Sequence, residues 1–217
     1  MMKERKQNRP LLIGLLGNLL CWCGDALLSV FPGQETVSGF ELSESWIGAP
    51  LWRFSLSGTL GSIAMVLVLI GFYRIYQLLK PNAPKTAKVF LGGALLGCIP
   101  GAGFHLQCTT AAWFYDALGG TAEAAETVTR YFLQHSALTI LCSAGLLLAS
   151  AVLLAAVVRG KTRFPRWAAV FNIMVIMAVL SLFRPIVSIP GTMNLGGAGM
   201  FLGLWLLTRK EDREVNR

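Results

Sequence analysis

Twenty-eight consecutive residues without a charged side chain fill positions 131–158, with the sequence YFLQHSALTILCSAGLLLASAVLLAAVV. An α-helix rises about 1.5 Å per residue, and roughly 20 apolar residues are enough to cross the hydrocarbon core of a bilayer. Four further stretches without Asp, Glu, Lys or Arg occur at 54–73, 89–115, 167–183 and 185–208. The segment 11–31 is also apolar, with Asp25 as its one charged residue. These lengths predict membrane-spanning helices and do not fit the roughly ten-residue alternating strands of a membrane barrel.

The sequence therefore predicts an all-α fold, a polytopic transmembrane helical bundle with about six spans in a single domain, residues 1–217. The predicted spans lie at approximately 11–31, 53–79, 88–115, 130–158, 166–187 and 190–208. The first of them follows several basic residues, as the apolar part of a secretory signal peptide does. No small-residue cleavage site comes after it, so we expect a retained helix.

The distribution of basic residues predicts the orientation of the bundle. Sixteen of the 19 Lys and Arg residues fall in four segments that an even number of spans puts on one side, 3–9, 74–88, 159–166 and 209–217. The other side has Arg53, Arg130 and Arg184. Cytoplasmic loops carry the excess of basic residues, so both termini are predicted to be cytoplasmic. The net charge of +8 is thereby accounted for, and nothing in the sequence supports nucleic-acid binding.

Polar residues gather toward the other side of the predicted bundle. Asp25 lies about 21 Å above the start of the first span, in the outer third of the hydrocarbon core. Polar side chains in a membrane face the bundle interior, so residues of similar depth are expected to meet. The candidate pocket residues are Asp25, Arg53, His105, Gln107, Gln134, His135, Arg184 and Asn194. They predict an outward-facing polar pocket that binds or transports a small molecule.

Two other interpretations of Asp25 remain open. The carboxylate could pair with Arg53 or Arg184 and fix helix packing, or it could act in acid–base catalysis with His105 or His135. Asp25 with both histidines would also make a two-histidine, one-carboxylate metal site, but no local ligand motif supports it. The sequence predicts no cofactor and no metal.

Small residues suggest a further alternative. Gly93, Gly97, Gly101 and His105 recur every four residues and so share one helix face. Such a face allows close helix packing, and an accessory or assembly protein could use it to bind another membrane protein. The five cysteines fall within predicted spans and form no CxxC pair, so we interpret them as buried, unpaired side chains.

The segments Gly17-Asn18 to Gly24-Asp25-Ala26-Leu27-Leu28 and Asn194-Leu195-Gly196-Gly197, with the pattern of spans, resemble an uncharacterised family of bacterial six-helix integral membrane proteins. The resemblance implies a multi-pass protein of the bacterial cytoplasmic membrane and no particular activity. The lipid bilayer is the expected partner, together with a small-molecule ligand or another membrane protein.

Overall fold

A computed structural model describes residues 8–30, 42–182 and 190–214. Within them the chain forms α1 (Arg9–Ser29), α2 (Leu51–Leu79), α3 (Pro84–Ala117), α4 (Ala122–Gln134), α5 (Ser136–Val158), α6 (Ile173–Leu182) and α7 (Thr192–Glu214). Short 3-10 helices occupy Glu44–Trp46 and Arg166–Phe171. The predicted all-α fold is confirmed for this part of the chain.

Four of these helices, α1, α2, α3 and α5, are long and apolar enough to cross a membrane. Their outward faces are apolar: Leu16, Ile63, Ile99 and Ile140 are between 51% and 64% exposed. Transfer of such side chains from water into lipid lowers their free energy. The apolar helices are therefore compatible with a membrane protein.

The segment predicted at 130–158 is divided into two helices. α4 begins earlier, where the Thr121 side chain accepts a hydrogen bond from the backbone N–H of Ala124 at 3.1 Å and caps the helix. It ends at His135, whose Nδ1 lies 2.9 Å from the carbonyl oxygen of Tyr131. That oxygen also accepts the backbone N–H of His135 at 3.1 Å, so both groups of His135 meet the same carbonyl at the end of α4.

The segment predicted at 166–187 also differs from one continuous helix. It starts with the 3-10 helix, and α6 begins only after Asn172. The Asn172 Oδ1 accepts hydrogen bonds from the Met174 N–H at 3.0 Å and the Ser150 hydroxyl at 2.8 Å, and its Nδ2 donates to the Ser150 carbonyl at 2.9 Å. This buried amide caps α6 and ties it to α5. Residues 183–187 lie outside the described part.

The helices pack in the order α7, α1, α2, α3 and α5, with α6 beside α7. Glycines bring their backbones close together. A Cβ on Gly17 of α1 would lie 2.8 Å from the Val68 nitrogen in α2. A Cβ on Gly93 of α3 would lie 2.9 Å from the Ala149 nitrogen in α5. The glycine face of α3 is thus used for packing within the chain at this position.

Residues 42–50, which precede α2, close one end of the bundle, called the Asp25 end below. Trp46 is buried there and donates a hydrogen bond from Nε1 to the Leu28 carbonyl at 2.9 Å. Its ring meets Tyr115 of α3 edge to face, with centroids 6.3 Å apart. The Gly48 N–H donates to Oδ1 of Asp116 at 2.6 Å. These contacts fasten the end of α1 to the end of α3.

Candidate functional site: a polar cavity at the Asp25 end

Four polar side chains from three helices form a connected group, called the Asp25 cluster. Asn194 of α7 donates a hydrogen bond from Nδ2 to Oδ2 of Asp25 at 2.7 Å. The other carboxylate oxygen, Oδ1, is 3.8 Å from Nδ1 of His105 in α3. The second ring nitrogen, Nε2, lies 3.0 Å from Sγ of Cys21. The order Cys21–His105–Asp25–Asn194 therefore links α1, α3 and α7.

Local sequence explains why these side chains meet. Cys21 and Asp25 are four residues apart on α1, and such residues share one face of a helix. Gly61 of α2 faces the His105 ring so closely that a Cβ there would overlap it. Gly191 has φ +60° and stands against the Asp25 carboxylate, where a Cβ would also overlap. Both glycines let a neighbouring backbone approach the cluster.

A cavity of about 300 Å³ adjoins this cluster. Its polar lining comes from five helices and consists of Asp25, Ser29, Ser57, His105, Ser143 and Asn194. Aromatic and apolar side chains form the rest of the wall, among them Trp46, Phe104, Phe132 and Leu146. An apolar enclosure with a few converging polar groups is typical of small-molecule sites.

Sulfur atoms make up another part of the wall. Met65, Cys108, Cys142 and Met193 line the cavity, whereas Cys21 is fully buried behind His105. The interpretation of all five cysteines as buried is wrong for Cys23, which is exposed, and it did not anticipate the cysteines at the cavity wall. The sequence spacing could have predicted this arrangement, because Cys21 precedes Asp25 by four residues and Cys108 follows His105 by three, which puts each cysteine on the same helix face as its polar neighbour.

Asp25, His105 and Asn194 are the predicted pocket residues that the structure brings together. Arg53 has a different role at the same end of the bundle. Its guanidinium donates to the Leu27 carbonyl, from Nε at 3.0 Å and from Nη2 at 2.7 Å, and also to the Val30 carbonyl. These are carbonyls at the C-terminus of α1, where a cation is electrostatically favoured. Arg53 therefore holds the helix end and does not line the cavity.

Three other predicted residues do not line the cavity, Gln107, Gln134 and His135. Gln107 is buried, and among the described residues its amide atoms have no hydrogen-bond partner. Gln134 and His135 are exposed at the break between α4 and α5, with the His135 ring 4.6 Å from that of Tyr131. Arg184 lies outside the described part. The geometry thus offers His105, and not His135, as the histidine next to Asp25.

The cluster can support three kinds of chemistry. A carboxylate and an amide can hold a ligand that carries hydrogen-bond donors or positive charge. A carboxylate beside an imidazole can pass a proton to or from a bound molecule. Thiol, imidazole and carboxylate together can ligate a metal ion.

A family model described as a family of unknown function (DUF6796) matches residues 2–211. No curated protein and no solved structure matches the chain. The resemblance to an uncharacterised family is thereby confirmed over nearly the whole chain.

Proposed function

Since the chain belongs to DUF6796, a family of unknown function, we propose a function from its own geometry. The protein is a multi-pass protein of the bacterial cytoplasmic membrane that crosses the bilayer about six times. Both termini are cytoplasmic. The Asp25 end faces outward, and the cavity there binds or transports a small molecule.

The arrangement of charge along the bundle supports this orientation. The end of the bundle opposite Asp25 contains the first residues of α1 and α3 and the last residues of α2 and α5. The connections there contain basic residues at 74–88 and 159–166. By the positive-inside rule this end is cytoplasmic, which leaves the Asp25 end on the other side. The two spans beyond the four long apolar helices would be formed by 166–187 and 190–208.

The observation that carries the proposal is the position of the Asp25 carboxylate at the wall of the 300 Å³ cavity. Placing a carboxylate inside a membrane costs about 2.5–3.5 kcal/mol on insertion scales, so intramembrane acidic residues are typically functional. The cavity volume is at the lower end of the range for ligand sites. We expect a small ligand whose cationic or hydrogen-bond-donating group meets Asp25 and whose apolar part faces Phe104 and Met65.

Thermal unfolding of the detergent-purified protein tests this proposal. A panel of small primary amines and amides is compared with carboxylic acids of matched size. We expect members of the first set to raise the melting temperature of the wild type, because a ligand at 100 times its Kd stabilises a protein by about 2.7 kcal/mol. Asp25→Asn should lose this response. Asp116→Asn, which changes a carboxylate outside the cavity, should retain it.

Two outcomes count against a ligand-binding Asp25. Equal responses of Asp25→Asn and the wild type would show that the carboxylate does not contact the ligand. Failure of Asp25→Asn to accumulate in the membrane, with normal accumulation of Asp116→Asn, would assign Asp25 to folding instead.

The second candidate function is acid–base catalysis in the membrane. It is favoured by the 3.8 Å distance between Nδ1 of His105 and Oδ1 of Asp25 at the cavity wall. A binding or transport protein returns its ligand unchanged. An enzyme returns a chemically altered compound, which mass spectrometry after incubation would detect with the wild type and not with His105→Gln. The accessory-protein alternative has less support, because Gly93 and Gly97 pack against α5 within the chain.

A further inference from the structure

A set of metal-ligating atoms lies at the cavity, with Asp25 and His105 in the wall and Cys21 buried next to His105. One atom each from Cys21, Asp25 and His105 can be chosen so that all lie within 4.8 Å of one another. The three residues come from two helices that α2 separates along the bundle. They converge because the His105 ring lies directly over Gly61 of α2, where no side chain intervenes.

We propose that Cys21, Asp25 and His105 bind a divalent thiophilic cation of the Zn²⁺ class. Thiolate sulfur, imidazole nitrogen and carboxylate oxygen are the three donor types that Zn²⁺ accepts in proteins. Ca²⁺ and Mg²⁺ instead require oxygen ligands, which a cysteine cannot supply. Zinc sites with three protein ligands keep a fourth position for water or substrate.

Charge balance favours a divalent ion at this depth. The Cys21 thiol loses its proton to water when the ion binds, and Asp25 binds as a carboxylate. Two negative ligands and a neutral imidazole then cancel the two positive charges of the ion. A net charge inside the membrane is costly, so the neutral complex is the favoured form. A monovalent soft cation on the same ligands would leave one negative charge.

The surroundings of the ligands suit a metal centre. Asn194 donates to Oδ2 of Asp25, which leaves Oδ1 directed toward His105. Hydrogen bonds of this kind orient metal-binding carboxylates. Asp25 and His105 line the cavity, so the fourth coordination position and the route of entry for the ion lie there.

The burial of Cys21 argues against the other use of the same geometry, a cysteine nucleophile activated by a histidine. Its exposed fraction is 0%, and it does not line the cavity. A reactive cysteine must be reached by its substrate, whereas a metal ligand must only reach the ion.

Cobalt spectroscopy of the full-length protein in detergent tests the proposal. The protein is stripped with a chelator and titrated with Co²⁺, which occupies zinc sites and absorbs in the near ultraviolet when a thiolate is bound. We expect one equivalent of Co²⁺ per chain, a thiolate-to-cobalt charge-transfer band, intense visible bands of tetrahedral cobalt, and displacement by Zn²⁺. Absence of the charge-transfer band in folded wild-type protein would overturn the proposal.

Matched variants identify the ligands. Cys21→Ser should abolish the charge-transfer band, while Cys23→Ser, two residues away and exposed, should leave it intact. His105→Gln should weaken Co²⁺ binding at least tenfold, and His135→Gln should not. A band that persists in Cys21→Ser, or that disappears in Cys23→Ser, would contradict the assignment. The cobalt bands need no organic ligand, so the metal site and the small-molecule proposal can fail separately.

Discussion

Gly61→Ala is the substitution that most sharply tests how the His105 ring is positioned. An added methyl group at Gly61 would overlap Cβ, Cγ and Nδ1 of His105. Because Cβ is fixed close to the backbone of α3, rotation of the histidine side chain cannot remove the clash. Either α2 and α3 separate or the ring leaves its place beside Asp25.

The free-energy change can be worked out with Gly92→Ala as the control. Gly92 is also inside a helix, but an added Cβ there meets no atom within 4 Å. Replacing Gly with Ala inside a helix stabilises both variants by the same difference in helix propensity, about 1 kcal/mol. Only Gly61→Ala adds the cost of overpacking, about 1–3 kcal/mol. The difference between the unfolding free energies of the two variants is therefore expected to be about 1–3 kcal/mol.

Titration with SDS in mixed micelles measures both unfolding free energies, and Co²⁺ titration reports on the site. We expect Gly61→Ala to be less stable than Gly92→Ala and to bind Co²⁺ more weakly. If the two variants unfold at the same SDS fraction and show the same cobalt spectrum, the His105 ring does not rest on Gly61.

Three further predictions concern the polar contacts of the bundle. Arg53→Gln removes charged hydrogen bonds to the end of α1 and should lower the unfolding free energy by about 1.5–3 kcal/mol in the same SDS titration. The control Arg130→Gln removes an exposed ion pair and should change the unfolding free energy by less than about 1 kcal/mol. Asn172→Ala removes two hydrogen bonds to Ser150 of α5 and one to the Met174 N–H at the start of α6, and it should cost about 3 kcal/mol. An effect as small as that of Asn82→Ala at an exposed turn would refute this role. Asn194→Ala removes the hydrogen-bond donor to the Asp25 carboxylate and should weaken Co²⁺ binding about 10- to 100-fold while the thiolate-to-cobalt band remains. Unchanged Co²⁺ affinity would show that this hydrogen bond does not position Asp25.

The sequence predicted the helical class and the long apolar helices because charge-free runs are visible without any tertiary information. Helix breaks were harder to predict. At the break after Gln134 the His135 ring contacts the Tyr131 carbonyl, and at the other break Asn172 binds Ser150 in another helix. Hydropathy cannot report either contact, because it averages over neighbouring residues and carries no information on individual hydrogen-bond partners.

Counting the rise along each helix predicted the depth of each candidate residue in the bilayer. It did not predict which way each side chain points. Asp25 and Asn194 also lie on inward faces, and they meet in the cavity. Arg53 has a similar level, yet its long side chain reaches the unsatisfied carbonyls of α1. His135 stands at a helix break and points to Tyr131. Cys21 was overlooked as a partner because a cysteine in an apolar helix has the pattern of a small hydrophobic residue.

Sided thiol labelling tests the central claim most directly, namely that a membrane-embedded bundle has a water-filled cavity open to the outside. Intact cells and inverted membrane vesicles are treated with a membrane-impermeant thiol reagent, and mass spectrometry identifies the modified cysteines. We predict that Cys108 at the cavity wall reacts in intact cells only, and that Cys23, an exposed residue of an apolar helix, reacts in neither preparation. Labelling of Cys108 only in inverted vesicles, or in neither preparation, would contradict the account.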